Sequence, residues 1–171
     1  SIKVGRTNVI EFMSESQEEW NITLTDTGEE ANTGDRILSA QQYLDDEHFY
    51  ATYGDGLADI DLINLMTSHK ESRKISTLTA VMPPGRFGAI RLDGNNVDSF
   101  SEKTDNINTW INGGFYVFNQ RIFEMMHKKN CSLEQDILPD LAERKELNAY
   151  KHHTFWQPMD TMRDKRKLEE L

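Results

Sequence analysis

The sequence predicts an α/β fold, a sheet layered with helices into which a hairpin is inserted. Three observations point there. The runs HFYATY (48–53) and KISTLTAVM (74–82) are short, apolar or β-branched, and closed by Gly54 and Pro83, as buried strands are. Between them the period changes, with Ile60, Ile63, Leu65, Met66 and His69 at helical spacing. Two alternating runs then flank Asp93-Gly94-Asn95-Asn96, a hairpin signal within residues 89–100.

The remaining elements follow in order. VIEFM (9–13) and WNITLTD (20–26) read as short strands separated by the polar SESQEE. The turn-rich TGEEANTG (27–34) leads into a helix through Ile37, Leu38, Ala40 and Leu44, with Thr33 placed as its N-cap. Asp59 is placed to cap the helix that runs to about Lys70. INGGFYVF (111–118) reads as a further strand, followed by a helix through Ile122, Phe123 and Met126. Ser132 and Gln135 form a capping-box pattern at the start of a helix bent by Pro139. LNAYKHHTFW (147–156) is a late strand and TMRDKRKLEEL (161–171) a terminal helix.

Composition narrows the function. The 171 residues, 37% apolar and 28% charged, suit a single globular domain over residues 1–171. A net charge of −10 argues against broad nucleic-acid binding, where a basic face supplies most of the affinity. A local basic pocket for a phosphorylated small molecule stays compatible with it. Cys131 is the single cysteine, so no intrachain disulfide is possible. No apolar run approaches the roughly 20 residues that span a bilayer, and the N-terminus lacks a signal-peptide core, so the expected location is the cytoplasm, away from membranes. The five histidines show no metal-ligand spacing.

In α/β sheets, chemistry sits beyond the C-terminal ends of the strands. That rule points to the loops beginning at Gly54, Pro83, Asn119 and Gln157. In TYGDGLADIDL (52–62), Asp55 follows a strand immediately. A Gly-Asp-Gly turn explains it, and so does a magnesium ligand, since Mg²⁺ takes a few carboxylates plus water and phosphates. In TFWQPMDTMRDK (154–165), Asp160 follows an aromatic strand end, either near a helix cap or as a second metal ligand. Glu102 and Lys103 of SEKTD are either solvated surface or a sugar-hydroxyl acceptor and a phosphate-binding charge. Gly88 after PPGRF and Asn112 before Gly113-Gly114 leave the same two readings open.

As an ordered series these stretches are far more specific than any one of them. LTDTG with TG-R (24–36), FxxTYGDGLAD (49–59), TAVMPPGRFGAI (79–90), SEK (101–103), INGGFYVF (111–118) and FWQPMDTMRDK (155–165) resemble the glucose-1-phosphate cytidylyltransferases, of the sugar-1-phosphate nucleotidyltransferase superfamily. The resemblance implies a Rossmann-like nucleotide-diphospho-sugar transferase fold with a mixed central sheet and helices on both faces. It implies transfer of a cytidylyl group from CTP to α-D-glucose 1-phosphate, giving CDP-glucose and pyrophosphate with Mg²⁺, for dideoxyhexose synthesis in bacterial surface polysaccharides. Asp55 and Asp160 match the aspartates that hold the metal. Lys103 matches the lysine on the sugar phosphate and Glu102 the glutamate on the sugar hydroxyls. Gly88 and Asn112 match positions lining the sugar pocket, while Gly34 and Arg36 match the nucleotide side. A homo-oligomer is expected, as for relatives.

The chain departs from the family at its start. The family's opening strand, its G-G-x-G-T-R-L loop and its P-K-P segment have no counterpart in residues 1–20. The expected fold is therefore N-terminally incomplete, with an unpaired sheet edge and weak or no turnover from these residues alone. A non-catalytic subunit that binds a nucleotide-sugar is the alternative. Asp35 stands where the family has a second glycine, and Thr104 where it has the proline of E-K-P.

Overall fold

The computed structural model describes residues 2–4, 10–12, 21–82, 89–93, 96–101, 110–127 and 130–171, with the strands at 2–4, 10–12, 89–93 and 96–101 described by backbone alone. Strands β1 (Ile2–Val4) and β2 (Ile10–Phe12) pair antiparallel. Over its described residues, 21–26, the strand expected at 20–26 does not form: residues 21–28 have no regular structure. There the Asp26 carboxylate accepts the Gly28 N–H at 3.0 Å, a local side-chain bond that competes with strand pairing.

Helix α1 (Thr33–Ala40) begins one residue earlier than Thr33 as cap would require, because Asn32 holds the N-cap position. Asp35 closes that turn, accepting from the backbone N–H groups of Asn32 and Cys131 at 3.2 Å each. Its charge is thus spent on capping and on tying α1 to a distant loop.

Strand β3 (His48–Thr52) is followed by an unforeseen short strand, β4 (Gly56–Ala58), and then by α2 (Leu62–Ser72). Asp61 caps α2 by accepting the Asn64 N–H at 2.9 Å, so the expectation for Asp59 is corrected. Of the apolar positions on α2, Leu65 is buried together with His69, but Ile63 is 80% exposed. Next come β5 (Ser76–Val81), the hairpin strands β6 (Ala89–Asp93) and β7 (Asn96–Ser101), and β8 (Ile111–Asn119). The expected hairpin is present, β6 and β7 pairing antiparallel.

After β8 the chain makes a 3₁₀ stretch over Gln120–Met125 rather than an α-helix. Ser132 does cap the next helix, accepting from Gln135 N–H at 3.1 Å. That helix opens as a π turn (Leu133–Ile137) and continues as α3 (Leu138–Glu143), with Pro139 in its first turn. Strands β9 (Leu147–His152) and β10 (Trp156–Pro158) and helix α4 (Met162–Glu169) complete the chain.

Four strands form the central sheet in the order β3-β8-β5-β9. β8 runs antiparallel to both neighbours and β5 pairs parallel with β9, so the sheet is mixed. β5 is buried along most of its length, as a strand covered on both faces must be. On one face Phe49, Tyr116 and Phe118 pack with Leu133, Ile137, Leu138 and Leu141, and Ile37 and Leu38 of α1 close that core. The opposite face meets α2, where His69 bonds Thr77 at 2.9 Å and Tyr50 bonds the Leu62 carbonyl at 2.7 Å. Helices therefore cover both faces. Among the described residues β3 has a strand partner on one side only.

The direction of β8 corrects one expectation. Because it is antiparallel, Asn119 stands at the opposite edge from Gly54, and it is the start of β8, at Ile111 and Asn112, that reaches the functional edge. The loop beginning at Pro83 lies outside the described residues.

Candidate active site

β4 and β10 pair antiparallel as a small ribbon, with Trp156 opposite Ala58 and Pro158 opposite Gly56. The pairing extends one step further, the Met159 N–H donating to the Asp55 carbonyl at 2.8 Å. Asp55 and Asp160 are thereby carried to the same end of the ribbon, and both line an open cavity of about 960 Å³. The ribbon is pinned at its other end. Asp59 N–H donates to the Phe155 carbonyl at 3.2 Å, Thr154 Oγ1 donates to Asp59 at 2.6 Å, and His152 Nε2 lies 3.2 Å from the same carboxylate. The Thr154 hydroxyl is the main cause that holds the Asp59 carboxyl below its usual range. α4 is fastened behind the ribbon by the buried Gln157, which bonds Lys167 at 2.6 Å and Asp164 at 3.3 Å.

Capping does not account for Asp160. α4 is capped by Thr161 and Asp164, which exchange backbone N–H bonds at 3.1 and 3.2 Å. Nor does Asp55 cap a helix, since Asp61 does that for α2. Two exposed carboxylates at one ribbon end are a hard-oxygen donor set of the kind Mg²⁺ accepts when water and substrate phosphates fill its other positions. Among the described residues no group of three or more His, Cys, Asp or Glu could hold a metal, so such an ion would lean on its substrates.

The cavity floor is built by Gly113-Gly114. A Cβ on Gly114, whose φ is +78°, would stand 2.6 Å from the Tyr53 ring. A Cβ on Gly113 would stand 2.8 Å from Val81. Gly114 lets Tyr53 lie against the β8 backbone, where the Tyr53 N–H donates to the Gly114 carbonyl at 3.2 Å, and Gly113 makes room for Val81 of β5. The β5–β8 register shifts between Leu78 and Ala80, beside this stretch. Trp156 donates its indole N–H to the Gly113 carbonyl at 2.8 Å, which fixes the ring as a wall of the cavity.

Four polar side chains form a continuous line beside that floor. Asn112 Nδ2 donates to Tyr116 at 2.5 Å, the Tyr116 and Tyr53 hydroxyls lie 2.8 Å apart, and Tyr53 donates to Glu134. Burial above all raises both tyrosines. Burial alone would raise Glu134 too, but hydrogen bonds from Thr33, Tyr53 and Ser132 outweigh it and hold the carboxyl below its usual range.

The site residues expected from sequence divide into three groups. Asp55, Asp160 and Asn112 come together around one cavity. Gly34 and Arg36 do not line it. Gly34 is buried, its N–H donating to the Cys131 carbonyl at 2.9 Å, where a Cβ would come within 2.7 Å of that oxygen. Arg36 is exposed and donates to Thr27 at 2.6 Å. Gly88, Glu102 and Lys103 lie outside the described residues. Sequence reasoning missed Tyr53, Tyr116, Trp156 and Glu134. A signal existed: Tyr53 and Tyr116 fall in runs read as buried strands, and a buried phenol needs a hydrogen-bond partner.

Comparison with known proteins places this mixed α/β fold and its cavity. The nucleotidyl transferase family model matches residues 6–163. The chain belongs to the nucleotidyl transferase family. It is 45% identical over 165 residues to a glucose-1-phosphate cytidylyltransferase of Salmonella typhi, covering 96% of this chain and 64% of that protein. It is 38% identical over 148 residues to a probable glucose-1-phosphate cytidylyltransferase of Bacillus subtilis, covering 86% of this chain and 58% of that one. The chain thus spans about 64% of the length of the Salmonella relative. Among solved structures, HddC from Yersinia pseudotuberculosis aligns with a TM-score of 0.60 at 23% identity, over 81% of this chain and 61% of that one. A putative glucose-1-phosphate thymidylyltransferase from Bacillus anthracis aligns with a TM-score of 0.63 at 12% identity, over 84% and 61%. At these identities the structures speak for the fold alone. No helix among the described residues is long and apolar enough to cross a membrane.

Proposed function

We propose that this chain carries the metal and sugar-phosphate side of a glucose-1-phosphate cytidylyltransferase, joining CTP and α-D-glucose 1-phosphate to give CDP-glucose and pyrophosphate. The observation that carries the reading is the ribbon register, which sets Asp55 and Asp160 together on the cavity that Asn112 also lines. The 45% identity to the Salmonella enzyme supports the choice of nucleotide and sugar.

In the reaction, an oxygen of glucose 1-phosphate attacks the α-phosphorus of CTP in line and pyrophosphate leaves. The protein's part is positioning and charge neutralisation, as in phosphoryl transfer generally. Mg²⁺ held by Asp55 and Asp160 would screen the two phosphate anions from each other. Asn112 offers an amide to the sugar, and Trp156 forms one wall of the cavity. Lys103 on the sugar phosphate, Glu102 on the sugar hydroxyls and Gly88 beside them belong to the same proposal. So do a cytoplasmic location, a homo-oligomeric state and a role in dideoxyhexose supply for O-antigen lipopolysaccharide.

Pyrophosphate release from CTP, glucose 1-phosphate and Mg²⁺ tests this, measured on the protein with any segment needed to match its relatives' length. Turnover with CTP and glucose 1-phosphate that Asp160→Asn abolishes is the expected result. A protein that binds neither substrate would end the proposal.

A further inference from the structure

Asn112 lines the cavity with an amide whose two ends have nearly the same shape and opposite hydrogen-bonding character. Which end faces a ligand is decided by its fixed partners. Gly114 N–H donates to Asn112 Oδ1 at 3.0 Å, and Asn112 Nδ2 donates to the Tyr116 oxygen at 2.5 Å.

The second bond depends on where the Tyr116 proton goes. If the Tyr116 hydroxyl pointed back at Asn112, the amide would have to turn its oxygen to it and lose the Gly114 bond. The proton goes instead to Tyr53, 2.8 Å away, which requires Tyr53 to send its own proton elsewhere. Glu134 receives it. An ionised carboxylate only accepts, so it fixes Tyr53 as donor, then Tyr116 as donor to Tyr53, then Asn112 as donor to Tyr116. The other Glu134 oxygen is held by the hydroxyls of Thr33 at 2.6 Å and Ser132 at 3.0 Å, so the carboxylate cannot swing away.

We infer that Glu134 is a positioning residue: through Tyr53 and Tyr116 it keeps the Tyr116 oxygen an acceptor and so, together with the Gly114 N–H, holds the direction of the Asn112 amide and presents an oriented N–H donor to a hydroxyl of the bound sugar. The inference rests on the function proposed above for the identity of the ligand. It assigns to Glu134 a task on the substrate side that a helix-opening acid with hydroxyl partners would not otherwise have.

The test has one arm that needs no ligand. In nitrogen-15 spectra of the protein, the expected result is one Asn112 amide proton shifted downfield and slow to exchange. Tyr53→Phe, which keeps the ring and removes only the hydroxyl, abolishes that signature, as does Glu134→Ala, while Glu134→Gln retains it by presenting its amide oxygen to Tyr53. An Asn112 signature unchanged in Tyr53→Phe overturns the relay. The second arm measures glucose 1-phosphate and CTP binding by calorimetry. Tyr53→Phe weakens glucose 1-phosphate about fivefold, the order of one hydrogen bond, and leaves CTP within about twofold. In an Asn112→Ala background the same change adds nothing, because the relay no longer ends on a donor. Equal losses in both backgrounds make the role of Tyr53 structural and overturn the inference. A wild-type protein with the Asn112 signature intact that binds neither ligand overturns the proposed function and leaves the relay standing.

Discussion

The backbone N–H of Met159 donates to the carbonyl oxygen of Asp55 at 2.8 Å, the last rung of the β4–β10 ribbon. Asp160 follows Met159 directly, so the backbones that carry the two carboxylates are tied by main chain. The two backbone segments cannot separate without breaking that bond. A cation between the carboxylates would gain both charges at little further ordering cost.

Replacing either aspartate should therefore cost most of what replacing both costs. Asp55→Asn and Asp160→Asn each lower metal-dependent pyrophosphate release by about 100-fold or more, the scale of losing one oriented electrostatic group. The double variant falls little further, because the pair acts as a unit. Losses that simply multiply would mean that the two carboxylates do not share one ion.

The clasp at the far end of the ribbon is open to hydrogen exchange. Asp59→Ala removes the acceptor of the Thr154 hydroxyl and the partner of His152. Exchange of the Met159 amide should speed up by about fivefold to tenfold, the equivalent of roughly one hydrogen bond. Amides of β5, in the middle of the sheet, should not change. Uniform acceleration across the sheet would show that Asp59 supports the whole domain instead of the ribbon.

Glycine substitutions separate geometry from composition. Gly114→Ala places a methyl 2.6 Å from Tyr53 at φ +78° and should cost about 2 kcal/mol or more in urea unfolding. Gly56→Ala, whose nearest neighbour would be Phe115 at 3.7 Å, should stay within about 0.5 kcal/mol. If both are tolerated alike, the floor of the cavity is not built as described.

His69 makes stability depend on pH. Burial first, then the charges of His48, Arg121 and Lys70, lower its pKa to about 4. Its ring is held between Thr77 at 2.9 Å and His48 at 3.1 Å. Well above pH 6.5 the ring is neutral whether the chain is folded or not. As pH falls below the ordinary value of 6.5, the unfolded chain takes a proton that the folded one refuses, so stability drops until about pH 4 and levels below it. The melting temperature of the wild type should fall across that window, and that of His69→Gln should fall less steeply from a lower starting point.

Much of this protein was already written in local patterns. Strand runs at 48–53, 74–82 and 111–118, the hairpin and the terminal helix all rest on periodicity and turn chemistry within a few residues, which sequence displays directly. The ordered motifs marked Asp55, Asp160 and Asn112 one by one. What sequence left open was decided by partners distant along the chain. Asp59 lost its expected cap to Asp61 because Thr154 and His152 engage it. Gly34 became a packing glycine because Cys131 sits against it. Glu134, read past inside a capping box, became the end of a relay because β3 and β8 bring Tyr53 and Tyr116 to it. Residue types and spacings determined the elements and named the candidate carboxylates. Only tertiary pairing decided which of those groups meet, because a hydrogen bond between distant segments leaves no period in either of them.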